Sequence, residues 1–179
     1  MNPRDMMDIF ENWDEDKRLK ALYKGCQMAL SVWKDYTRDN TIQYIDSLVA
    51  LEHVVENDLP MDAMNAIKSH IDGKEPKDVE EIDRRYREPI TAMQDYDWYS
   101  TDEFDLMDLH FPQHVEYAYY SIYNLFRLLF NDIITIEEPV IINQFISSQL
   151  SYDDGITEEE KQEQIDAAFQ KWWDAVTGF

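Results

Sequence analysis

Four glycines and six prolines are all the strong backbone breakers in a chain of 179 residues, and this scarcity limits the fold more than any other feature. A sheet protein needs a turn roughly every eight to twelve residues, built largely on Gly, Pro, Asn and Asp. Here the breaks fall near residues 38–40, 57–60, 72–77, 99–112, 131–139 and 152–157, leaving stretches of helical length between them. The pattern predicts an all-α fold, a single-domain bundle over residues 1–179 with about seven to nine helices and short connections.

Apolar periodicity locates the helices. Leu19, Leu22, Tyr23, Cys26, Ala29, Leu30 and Trp33 recur at three- and four-residue steps over 15–36, forming one core-facing stripe. Ile42, Ile45, Leu48, Val49 and Leu51 continue that spacing and predict a second helix over 41–55, with Asp39 or Asn40 as N-cap. Pro60, after Asn57 and Asp58, suits the first turn of a third helix carrying Met61, Met64, Ile67 and Ile71 and ended by Gly73. Residues 79–98 are helical in composition, but Pro89 predicts a kink or two pieces. Residues 113–130 make the most apolar helix and the expected centre, with Ala118, Ile122, Leu125, Phe126 and Leu129 inward and Tyr117, Tyr119, Tyr120 and Tyr123 on its flank. Pro139 opens a helix over 140–150, while Ile133, Ile134 and Ile136 could form a short strand. Thr157 and Glu160 have capping-box spacing and start a last helix with Ile165, Ala168, Phe169 and Trp172 inward.

The chain is 44% apolar and 13% aromatic, so its acidity belongs to a folded surface rather than a disordered tail. Thirty-eight acidic against sixteen basic residues give a net charge of -22. That field repels phosphate backbones and anionic membranes, so neither nucleic acid nor membrane is expected as partner, and it attracts a cationic protein. The plainer reading is that the charge aids solubility. Cys26 is the sole cysteine, which excludes an internal disulfide and points to a helix-packing role. The first sixteen residues are too acidic for a signal or transit peptide, and no run reaches the roughly 18 apolar residues of a membrane span, so a cytoplasmic location is expected.

No nucleophile elbow, phosphate-binding loop or dinucleotide fingerprint occurs, and no catalytic residue, metal or cofactor is assigned. His110 and His114 have zinc-helix spacing with Glu116 nearby, but Pro112 lies between them and Phe111 stands where a zinc protease needs its carboxylate. Glu52, His53 and Glu56 would share a helix face and could move protons; a packed histidine is the commoner outcome. Arg84, Arg85 and Arg87 are offset by Glu80, Glu81, Asp83 and Glu88, as helical ion pairs are. The acidic runs at 5–16 and 153–166 read as a frayed terminus and a charged helix start. Residues 95–108 differ, holding six acidic residues and four aromatics without a lysine or arginine. Asp95, Asp97, Asp102, Glu103, Asp105 and Asp108 can steer and pair with basic groups, while Trp98 and Tyr99 supply anchors of the kind that dominate interface energetics. These eight are the candidate partner-binding residues. The competing reading is a solvated loop whose aromatics fold back on the core.

The string Ala29-Leu30-Ser31-Val32-Trp33-Lys34-Asp35-Tyr36, followed by Tyr44-Ile45-Asp46-Ser47-Leu48-Val49, Glu52-His53-Val54 and Leu59-Pro60-Met61-Asp62-Ala63, resembles the helical immunity proteins of bacterial polymorphic-toxin and contact-dependent inhibition systems. The resemblance covers about the first third of the chain and rests on helix-packing positions, two packed helices followed by a short turn and a third. It implies a cytoplasmic protein without catalysis that binds a cognate toxin one to one and blocks its active site or substrate path. Many such toxin domains are nucleases with basic clefts; an RNase is favoured by analogy. A helical metal-dependent or acid/base enzyme using His53, His110 and His114, and an acidic nucleic-acid mimic that inhibits a DNA-binding protein, are the alternatives. A homodimer also stays open.

Overall fold

The computed structural model describes residues 1–46, 51–98, 112–131 and 135–178, with side chains at all of these except 44–46, 51–52 and 90–98. Among the described residues the order is α1 (Pro3–Glu11), α2 (Glu15–Thr37), β1 (Gln43–Asp46), β2 (Leu51–Val54), α3 (Leu59–Ile71), α4 (Val79–Trp98), α5 (Gln113–Phe130), α6 (Glu138–Ser147) and α7 (Glu158–Thr177). The fold is all-α, a helical bundle with seven helices among the described residues and one short two-stranded ribbon at its side.

The expected stripe forms the spine of the core. Leu22, Cys26, Ala29 and Trp33 of α2 are fully buried, and α2 lies along α5. α5 is central, touching α2, α3, α4 and α6 and burying Val115, Ala118, Tyr119, Ile122, Leu125 and Phe126. Two deep indoles keep their N–H groups satisfied: Trp33 Nε1 donates to the Asn57 carbonyl at 2.8 Å and Trp172 Nε1 to the Ala21 carbonyl at 2.9 Å. Cys26 is a packing residue whose thiol lies 3.5 Å from the Ser121 carbonyl, and burial pushes its ionisation well above the ordinary thiol range. Local chemistry sets the helix ends. Asp14 caps α2 through the Lys17 N–H, and Thr157 and Glu160 form the expected capping box. α3 closes in a Schellman motif, with Lys74 N–H on the Ser69 carbonyl, Gly73 N–H on the His70 carbonyl, and Gly73 at φ +69°.

Three segments depart from expectation. The described part of 41–55 is not the expected helix; β1 and β2 pair there as the antiparallel ribbon, with Gln43 opposite Val54 and Asp46 opposite Leu51, and residues 47–50, with Leu48 and Val49 of the expected stripe, lie outside the described residues. The spacing of Ile42 and Ile45 is helical, but the segment is crowded with β-branched residues, and its burial alternates. Ile42 and Val55, joined by a 2.9 Å backbone bond, are buried, while the adjacent pair Gln43 and Val54 is exposed. The acidic start is no frayed terminus. Asn2 caps α1, Pro3 occupies its first position, and Met6 and Phe10 are buried. Phe10 lies 5.8 Å from Trp172, and Trp13 stacks on Trp173 at 5.2 Å and 16°. Finally, α4 runs unbroken through Pro89. Only one intrahelical donor is missing there, and packing of α4 on α3, α5 and β1 outweighs the loss.

Candidate partner-binding surface

The first half of α4 is the anchor from which the acidic aromatic segment extends. Ile82 and Tyr86 are buried. Tyr86 stacks on Tyr123 at 4.7 Å and 3° and tilts against Tyr119 at 4.5 Å, and the Tyr123 hydroxyl donates to Asp83 at 3.0 Å. Thus the tyrosine flank of α5 is largely a seat for α4: Tyr119 and Tyr123 are buried, while Tyr117 and Tyr120 are half-buried. Burial pushes the Tyr123 hydroxyl up to about 12, with the Asp83 carboxylate adding to the rise, and burial likewise raises Tyr86. Arg85 fastens α4 to its neighbours by pairing with Glu56, just past β2, and with Asp62 of α3 at 3.0 Å.

Asp95, Asp97 and Trp98 occupy the last turn of α4, and that turn contains no basic residue. Both carboxylate-bearing positions lie within three residues of Trp98, where the described part of α4 ends. Tyr99, Asp102, Glu103, Asp105 and Asp108, the rest of the candidate set, lie outside the described residues.

Among the described residues, six of the sixteen basic residues make ion pairs within the fold. Arg18 bonds Glu138 at 2.9 Å, Arg84 joins Glu81 and Glu88, Arg87 approaches Asp83 at 3.8 Å, and Lys68 pairs with Asp72. Arg84 and Arg87 thus make the ion pairs along the helix that their spacing predicted, whereas Arg85 pairs across elements, a role that local spacing could not disclose. Lys17 sits over the Trp13 ring at 3.9 Å. The Arg84 partner holds the Glu81 carboxyl below its ordinary range, and the Lys68 partner does the same for Asp72.

The imagined proton-moving face at 52, 53 and 56 does not exist. β2 replaces the helix that would have aligned these positions, and Glu56 lies beyond the strand on Arg85. His114 lies in the first turn of α5, which starts at Gln113 directly after Pro112, in keeping with the helix break expected there; burial lowers its ionisation, partly countered by Asp153. His110 lies outside the described residues. Among the described residues no three His, Cys, Asp or Glu side chains gather as a metal site, and no helix is long and apolar enough to cross a membrane.

A second surface feature was not anticipated from sequence. The end of α2, the start of α5 and the link from α6 to α7 enclose a groove of about 830 Å³ whose lining includes Asp35, Tyr36, His114, Tyr152 and Asp153. These residues are far apart in sequence, so local pattern carried no signal for them. No family model, no curated protein and no solved structure matches this chain.

Proposed function

We propose that this protein is an immunity-type inhibitor that binds a cognate toxin domain with a basic surface, an RNase-like nuclease being the favoured partner, and neutralises it in the cytoplasm by covering its substrate path. The observation that carries the reading is the basic-free end of α4, where Asp95, Asp97 and Trp98 lead into Tyr99, Asp102, Glu103, Asp105 and Asp108. The net charge of -22 supplies the long-range attraction. The likeness of residues 29–63 to helical immunity proteins supplies the toxin. The chain departs from that pattern between α2 and α3, where a ribbon stands in place of the second helix.

The test is to isolate the partner from native cells, express it alone, and measure growth arrest with and without an equimolar amount of this protein. A toxic partner silenced at one-to-one stoichiometry is expected; a partner harmless by itself would end the immunity reading. Replacing Asp97, Asp102 and Asp105 with Asn and Glu103 with Gln should weaken that complex by at least about tenfold, chiefly through slower association. Trp98→Ala should cost about 2 kcal/mol of binding if Trp98 is an anchor, with thermal melts showing that the fold is retained. Unchanged affinity in both variants would move the interface elsewhere.

A further inference from the structure

Grooves on the described surface differ in whether their acidic lining is offset by basic residues. The one of about 520 Å³ between α3 and α4 mixes Lys74, Lys77 and Arg85 with Asp62, Glu75, Asp78 and Glu81, and that of about 630 Å³ at the start of α4 mixes Arg84 and Arg87 with Asp78, Glu80 and Glu81, so the carboxylates of both have cations beside them. The groove of about 830 Å³ between the end of α2, the start of α5 and the α6–α7 link has no lysine or arginine among its described lining residues. Its charged groups are Asp35 and Asp153, and burial disfavours the charged form of His114, partly countered by Asp153.

Its aromatic wall is braced. The Tyr152 hydroxyl donates to the Ser147 carbonyl at 3.1 Å, and the ring stacks on Tyr117 at 6.1 Å and 30°. Leu150 is buried beneath, and Tyr36 supplies a second half-buried ring. The Ser151 hydroxyl donates to Asp153. Asp35 is 76% exposed, and its pair with Arg38 is a loose 3.6 Å surface contact that an incoming group can displace at small cost. The start of α5 contributes a partial positive charge to the groove, about half a unit, which two carboxylates outweigh. Planar rings beside carboxylates suit a guanidinium, which stacks on aromatic faces and bonds carboxylates through its fork of N–H donors.

We infer that this groove seats an arginine side chain of the cationic partner. The inference rests on the partner being cationic, as proposed above. It adds a second contact next to the first in sequence, because α5 starts only a few residues after Asp108.

The probe is N-acetyl-arginine amide titrated at pH 7.5 into the full ¹⁵N-labelled chain, with the uncharged isostere N-acetyl-citrulline amide in parallel. Saturable amide shifts are expected at Tyr36, His114 and Tyr152 with the arginine probe alone. The double variant Asp35→Asn, Asp153→Asn should weaken them by about tenfold or more, and thermal melts should show the variant folded. Equal shifts with citrulline, or shifts indifferent to the double variant, would overturn the assignment. Saturation at 95–98 with a silent groove would overturn the groove and leave the cationic partner standing. Silence at both sites, joined to a captured partner that lacks a basic surface, would remove both.

Discussion

A β-carbon built on Gly25 would lie 2.2 Å from the Phe145 ring, well inside any contact a real methyl group makes. The ring has little freedom to retreat, since it is fully buried and packs on Trp172 at 5.3 Å. Gly25→Ala should therefore cost about 2–3 kcal/mol through overpacking where α2 meets α6, lowering the melting temperature by about 5–10 °C. An unchanged melt would mean that Phe145 swings aside freely. The tyrosines under α4 yield a second prediction, this time on pH. An unfolded tyrosine titrates near 10, whereas Tyr123 in the folded chain is pushed up to about 12. Between those values the unfolded state has released a proton that the folded state still holds, so stability is complete below pH 10 and declines as pH rises towards 12. Denaturant unfolding from pH 9 to 11.5 should show that decline, and Tyr123→Phe should make it shallower. Equal slopes would shift the alkaline sensitivity onto other groups.

At the scale of elements, what local pattern reveals depends on how many constraints agree. α2 and α7 were legible because an apolar stripe follows a side-chain cap, and α5 because its long apolar stripe follows directly on Pro112. Residues 41–55 were misread because Ile42 and Ile45 satisfy a helical spacing, while the stronger cue was the density of Thr, Ile, Tyr and Val. The helix α1 was overlooked for the opposite reason. Its charge masked Met6 and Phe10, which sit four residues apart behind an Asn-Pro start, and Trp172, the ring against Phe10, lies at the far end of the chain. The acidic candidate segment was visible as composition alone, while the anchoring of the preceding half of α4 through Arg85 and Tyr86 needed tertiary contacts to appear. α4 also supplies a test of how much packing overrides propensity. Pro89 is buried, and its ring denies the Arg85 carbonyl an intrahelical donor. Pro89→Ala restores that bond at the expense of some packing, and should raise stability by about 1 kcal/mol. A lower melting temperature would show that the ring itself is a packing element between α4 and its neighbours.

For the whole molecule, one charge distribution should produce two salt effects of opposite sign. Most of the basic groups with a visible partner are tied to carboxylates within the fold, so the acidic surplus is left to repel itself across the surface. Screening shortens the reach of that repulsion to about 10 Å at 0.1 M salt, and the melting temperature of the free protein should climb between low and physiological ionic strength. The same screening weakens the field that draws in a cationic partner, so the association rate should fall over the same range while dissociation changes little. Measuring both on one preparation separates the readings of the acidity. A chain made acidic for solubility alone would show the rise in stability and bind no cationic partner at any salt. One shaped for a basic partner would show both trends, and neutralising positions 97, 102, 103 and 105 should flatten the association trend more than four exposed substitutions spread elsewhere on the surface, because only the former remove charge from where the partner docks.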